Sequence, residues 1–302
     1  MTRFTDSRSR SREPELVTVS GPAVTVAPAG AGRRLKVGSR AGLIGGVTIL
    51  VLLAGSSVLV GVLRPYSTTE ISGVPFLGPD AAHWLGTDQL GRDTFVRVCV
   101  AARASLLISF LAAAISAVVG SAIGLVAGLY GGWVESALMA VTELFLAIPS
   151  ILIALCAVTA FGSSITTLVL VLAFVSIPQF AQLVRGRCLE LREQDFVQSA
   201  KVSGVSTMRI AFQHMLPNCQ FIIAVQLANT AAISILLEAA LSYLGLSVQP
   251  PTPSWGQMIF AAQDYMTRTP WLALAPAAAI LLASVGWGLI GEAFSTSRRS
   301  AI

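Results

Sequence analysis

Few residues in this sequence are of a type that could do chemistry, and their spacing leads away from it. Neither of the two histidines, His83 and His214, begins H-E-x-x-H, which removes a zinc protease of that kind. The two lysines, Lys36 and Lys201, follow Leu35 and Ala200, so no G-K-[ST] phosphate loop is present. Serine is plentiful, yet G-x-S-x-G does not occur. The four cysteines (Cys99, Cys156, Cys188, Cys219) form no C-x-x-C pair and no zinc spacing, and read as packing residues. His83, Asp88 and Asp93 in "HWLGTDQLGRD" could suggest a metal. Gly86 and Gly91, with Asp and Thr as caps, are more simply turn and helix-start chemistry. The expectation is no catalytic residue, no metal site and no cofactor held by this chain.

Two acids stand out because charge is expensive inside a membrane, about 2.5–3.5 kcal/mol at the centre of a helix. Glu143 falls about a third of the way into an apolar run, and Glu238 falls late in another. Intramembrane acids default to a functional reading. Glu238 is read equally as a path-lining or gating group and as a structural one. Glu143 leans to a structural role, satisfied by hydroxyls or amides.

The elements that hold these residues follow from composition. Hydrophobic residues make up 54% of the 302 and charged residues 12%, and the mean hydropathy is +0.75. A soluble domain carries about 25% charged residues, so the bilayer is the expected solvent. A helix needs about 20 apolar residues to cross it. Six runs qualify, at 41–63, 105–128, 134–160, 165–184, 219–245 and 270–292. "GLYGGW" (128–133) and "FGSS" (161–164) supply the turns between the second, third and fourth. The fold class is all-α: a polytopic membrane protein with six transmembrane helices. Residues 1–40 form a polar tail that reads as disordered. Residues 41–63 form an uncleaved anchor, 64–104 an external segment, 105–293 the core and 294–302 a second tail.

Charge bias orients the spans. With the N-terminus inside, cytoplasmic segments hold fifteen of the 20 Lys and Arg residues, and external segments hold Arg64, Arg92, Arg97, Arg103 and Arg268. Both termini are then cytoplasmic, and the charge of +5 does not imply nucleic acid. Ser116, Gly120, Gly124 and Gly128 recur every four residues, a face that admits a second helix closely, from this chain or another. Pro149, Pro178 and Pro276 should kink or break their spans. In the external segment 246–269, Ser254 should cap a short helix from Trp255 to about Tyr265. That helix either lies across the external mouth or, through Trp255 and Trp271, anchors at the membrane boundary.

The most polar stretch of the second half is "DFVQSAKVSGVSTMRIAFQHMLPN", residues 195–218, within a cytoplasmic loop spanning 188–218. Asp195 should cap a helix running to about Ser203, with Phe196, Val197 and Ala200 on one face. Gly204 breaks it, and Ser206 should cap a second. There Met208, Ala211, Phe212 and Met215 fall at i, i+3, i+4 and i+7, the pattern of a buried stripe. Leu216-Pro217 should end that helix and turn the chain into the next span. The alternatives are an amphipathic hairpin on lipid and a knob that docks on protein; Lys201 and Arg209 against Asp195 make no dense basic face for lipid.

This spacing resembles the cytoplasmic loop of ATP-binding-cassette (ABC) importer permeases: E-A-A, three residues, Gly, nine residues, I-x-L-P. Here Gln198-Ser199-Ala200, Gly204 and His214-x-Leu216-Pro217 occupy those places, with Gln198, Ser199 and His214 departing from the general pattern. "HWLGTDQLGRD", "YGGWVE", "AIPSIL", "LREQDFVQSAK", "LEAALSYLGLSVQPPTPSWG" and "PWLAL" extend the resemblance over about residues 41–293, to the C-type permease subunit of dipeptide, oligopeptide and nickel importers. The resemblance implies a type I ABC importer permease fold. It implies a second homologous permease subunit, two cytoplasmic ATPase subunits that hold ATP and Mg, an external solute-binding protein, and membrane lipid around the chain. It makes 195–217 the ATPase-coupling element, with Phe196, Val197, Met208 and Phe212 as candidates for the contact. Short peptides are the expected cargo, with nickel or another small solute, or an ion-coupled secondary transporter, as alternatives.

Overall fold

A computed structural model describes residues 39–63, 67–249 and 251–299. Of the expected tail at 1–40, residues 1–38 lie outside the described residues, as do 64–66, Pro250 and the last three, and the helix already begins at Ser39. Ten α-helices follow one another: α1 (Ser39–Leu63), α2 (Thr94–Tyr130), α3 (Gly132–Ala147), α4 (Ser150–Phe161), α5 (Ile165–Arg192), α6 (Asp195–Val202), α7 (Thr207–Arg209), α8 (Leu216–Tyr243), α9 (Trp255–Ala262) and α10 (Trp271–Arg299). A π-helical turn, Ile210–Met215, joins α7 to α8, and a 3₁₀ turn, Gln263–Tyr265, follows α9. Among the described residues the only β pairing is an isolated bridge between Thr87 and Asp93. The chain is all-α.

Among the described residues, five helical stretches are long and apolar enough to cross a membrane, six if α3 and α4 count as one span. The expected third span, 134–160, is not straight: α3 and α4 meet at 87°. Pro149 supplies the physical reason, since it cannot continue an α-helix from Ile148, whose backbone is extended. Helix α2 starts at Thr94 rather than near 105, because the Asp93 carboxylate accepts from the Val96 N–H at 3.0 Å and caps it. Helices α5 and α10 run past the apolar runs, to Arg192 and Arg299.

The spine of the bundle is α2 against α5. The small-residue face of α2 finds its partner within this chain. A Cβ on Gly120 would lie 2.5 Å from the Phe180 Cβ, one on Gly124 2.4 Å from the Ala181 carbonyl, and one on Gly128 2.4 Å from the Cys188 Cβ. Without side chains at these positions the two backbones approach as small-xxx-small faces allow. Ile108, Ala112, Leu168, Leu172 and Leu241 form one core cluster with Ala154 and Val158 of α4. Ala101, Ala102, Ile235, Trp255, Ile280 and Ala283 form another where α2, α8, α9 and α10 meet. Cys99, Cys188 and Cys219 are buried as packing residues should be, whereas Cys156 is exposed on α4.

Candidate functional site

The 195–218 stretch folds into a knob built on the ends of α5 and α8. Helix α6 ends in a Schellman turn: the Val205 N–H donates to the Ala200 carbonyl (3.1 Å) and the Gly204 N–H to the Lys201 carbonyl (3.0 Å). Gly204 takes φ +74°, a conformation that costs other residues about 1 kcal/mol or more. Its expected role as the break is met. Asp195 is the first helical residue and not the cap; Gln194 takes that place, without a side-chain bond. Asp195 instead sets a negative charge in the first turn, favourable to the helix dipole. Ser206 stands at the N-cap of α7, but its hydroxyl makes no capping bond.

The expected stop at Leu216-Pro217 does not occur. Helical structure runs unbroken from Thr207 to Tyr243. The π turn explains how. Its bonds reach five residues back, as from the Leu216 N–H to the Ala211 carbonyl, so the ladder shifts just before Pro217. Proline lacks an N–H to donate, and at the start of α8 that loss is tolerated. The Asn218 side-chain amide donates to the His214 carbonyl (2.6 Å), a further bond across this turn. The second arm of the knob and the α8 span are therefore one rod.

Burial divides the residues singled out by spacing. Val197, Ile210, Ala211 and Met215 are sealed against Leu125, Val184, Cys188, Leu191 and Cys219. Val197 thus packs the knob onto the bundle and is not an outward contact. The expected buried stripe is half right. Ala211 and Met215 are buried, while Met208 is 63% and Phe212 56% exposed, both on a groove of about 670 Å³ shared with α2 and α8. The widened π turn places these residues out of α-helical phase. Ala200 and Leu216 are half-buried, and Phe196, Gln198, Ser199 and Pro217 are exposed. The Gln198 amide donates to the Arg192 carbonyl at the end of α5 (2.7 Å), a bond a glutamate there could not make. One outward residue was missed: Val202, 90% exposed, the last residue of α6. Its signal is an apolar side chain two places before the glycine, off the face of Val197.

Glu238 is fully buried. One of its oxygens accepts from Ser105 of α2 at 3.0 Å, the other from Ser247 beyond α8 at 2.9 Å. Nearby, Ser254 caps α9 as expected and pairs with Ser242. Trp255 is 0% exposed and donates to the Val98 carbonyl (3.0 Å), so it is a core plug and not a boundary anchor. Glu238 thus ties α2 and α8 to the loop that follows α8. Glu143 departs the other way. It is exposed on α3, beside a cavity of about 450 Å³, while its neighbour Glu135 bonds Arg185 of α5 (2.6 Å).

The stretch 83–93 fits its turn-and-cap reading. Gly86 and Gly91 take φ +68° and +74°. Asp88 accepts from the N–H groups of Leu90 and Arg92 and from the Arg92 guanidinium (2.7 Å). Asp93, besides capping α2, pairs with the His83 imidazole at 2.8 Å.

Comparison with known proteins agrees with this architecture. Residues 120–299 match the family described as binding-protein-dependent transport system inner membrane component. The dipeptide transport system permease protein DppC of Alkalihalophilus pseudofirmus is 36% identical over 248 residues, 80% of this chain and 81% of the relative. The glutathione transport system permease protein GsiD of Escherichia coli and that of Shigella sonnei are each 39% identical over 245 residues, 80% of this chain and 81% of the relative. A family match across more than half the chain, joined to relatives aligned over most of both lengths, makes this chain a member of the binding-protein-dependent transport system inner membrane component family.

Proposed function

We propose that the chain is one of two permease subunits of an ATP-driven importer that moves short peptides across the cytoplasmic membrane by alternating access. Its relatives are named for dipeptide and glutathione transport, and a short peptide is the chemistry common to both. ATP and Mg belong on two cytoplasmic ATPase subunits, and an external binding protein delivers the solute. Both termini are cytoplasmic, as the bias of Lys and Arg requires. The remaining permease subunit closes the path from the other side.

The observation that carries this reading is the rod Thr207–Tyr243, continuous from the knob into a span. A push on the knob is a torque on α8. The knob's inner residues are locked in a core, so it moves as a body with the ends of α5 and α8. Its outward apolar residues, Phe196, Val202, Met208 and Phe212, would seat on the ATPase. Gln198, Ser199, Ala200, Gly204, Leu216 and Pro217 shape the knob and its join to α8.

The test is co-purification of the whole transporter. Val202→Asp and Phe196→Asp change exposed side chains and should leave the chain's abundance in the membrane unchanged. Each should lower ATPase retention at least tenfold, the size expected when a central apolar anchor is lost. Full retention by both variants overturns the coupling role. Uptake that needs no ATP and follows a proton gradient favours the ion-coupled reading instead.

A further inference from the structure

Helix α3 carries a carboxylate for which the described residues offer no partner. Among the described residues, no hydrogen bond or ion pair reaches Glu143. It lies eleven residues beyond Gly132, where the helix begins, a rise of about 16 Å. That is about half of a hydrocarbon core of about 30 Å.

At 100° per residue, α3 has three faces. One packs on the bundle: Met139 and Thr142 are buried, Glu135 pairs with Arg185, and Phe145 meets Phe174 edge-on at 5.0 Å. The second, with Ala137, Val141 and Leu144, is exposed and wholly apolar, as lipid requires. The third, with Gly132, Ser136, Ala140, Glu143 and Ala147, is also exposed and holds only small residues and the acid. This face borders the cavity of about 450 Å³, with the Glu135–Arg185 pair on its bundle side. Lipid is a poor neighbour for it, since a bare carboxylate at mid-membrane is strongly disfavoured. Water is a good one.

We propose that this third face of α3 borders the aqueous path and that Glu143 is a transient docking point for the ammonium group of a passing short peptide. The inference rests on the importer reading above. The ligand class follows from charge. Glu135 and Arg185 neutralise each other, which leaves the cavity one net negative charge, on Glu143. A short peptide carries an ammonium group at neutral pH, and that group is the natural complement. A hydrated carboxylate binds it weakly, which suits a site that must release what it holds.

The experiment uses the complete transporter in membrane vesicles, with the four native cysteines replaced by alanine. Single variants S136C, E143C, V141C and L144C are exposed to a charged, membrane-impermeant methanethiosulfonate. S136C and E143C should react at least tenfold faster than V141C and L144C. Similar rates at all four positions overturn the placement of this face on the water path. Millimolar dialanine should then slow modification of S136C at least threefold, and N-acetyl-dialanine should not. Adding Glu143→Gln should abolish the protection, and Glu143→Asp should keep it. No protection, equal protection by both peptides, or protection that survives Glu143→Gln overturns the docking role. ATP-dependent uptake of dialanine by the unmodified transporter is measured in parallel. If uptake is present while the thiol results fail, only this inference falls; if uptake is absent, the peptide-importer reading falls and takes the inference with it.

Discussion

At the scale of single residues, the contrast between Glu238 and Glu143 sets the terms. Both are acids within apolar helices, and the sequence reading leans to structure for Glu143 while leaving Glu238 evenly divided. One is enclosed with two hydroxyl donors, the other lies open on a helix face. Replacing Glu238 by leucine strands Ser105 and Ser247 as buried donors, each worth about 1–3 kcal/mol when unpaired. Glu238→Leu should therefore lower the thermal midpoint of the purified complex markedly, and Glu238→Gln, which keeps one acceptor, should lower it less. Gln198→Ala is milder. It removes one exposed amide-to-carbonyl bond, about 1 kcal/mol, and should leave membrane abundance intact. Which acid would be enclosed was not legible from the sequence, because Ser105 and Ser247 lie far from Glu238 or beyond a turn and no period links them.

At the scale of elements, the glycines separate into two kinds with different expected costs. Gly124 faces the Ala181 carbonyl and the Arg185 amide so closely that a methyl group cannot fit without moving backbone. Gly124→Ala should cost about 1–3 kcal/mol through overpacking, read as lost thermal stability, and Gly124→Leu should prevent assembly of the bundle. Gly204 has open space around its Cβ position, and only its φ resists substitution. Gly204→Ala should cost about 1 kcal/mol, and Gly204→Asn less, since asparagine tolerates that region. The four-residue repeat on α2 announced a close helix contact; that α5 is the partner needed the fold. The apolar runs marked nearly all the spans because the bilayer requires long uncharged stretches. Pro149 marked a break but not its angle, which depends on what α4 packs against. Leu216-Pro217 misled for a definite reason: proline signals a stop by losing one N–H, and the π turn had already moved the ladder off that donor.

At the scale of the whole molecule, the knob is locked inward and apolar outward. Val197→Asp buries a charge among Cys188, Leu191 and Met215, and should destabilise the chain severely, seen as loss of protein from the membrane. Val202→Asp should leave the protein in place and uncouple it. A pair of variants five residues apart thus separates folding from transmission. The 195–217 segment was legible as a unit, from Gly204 and Leu-Pro at their spacing, because turn chemistry is local. Its inner and outer faces were not, because they depend on which side α2 and α5 approach.

The π turn also fixes an angular phase. It holds one more residue per turn than an α-helix would, so the segment before it is clocked by about 100° relative to α8. Deleting one residue between Ile210 and Met215 would let the rod relax to a plain α-helix, and the helix would remain whole. Phe196, Val202 and Met208 would then point in a different compass direction below the bilayer. A chain that keeps its spans yet idles, its knob turned off its seat on α5, is the outcome to expect from that single excision.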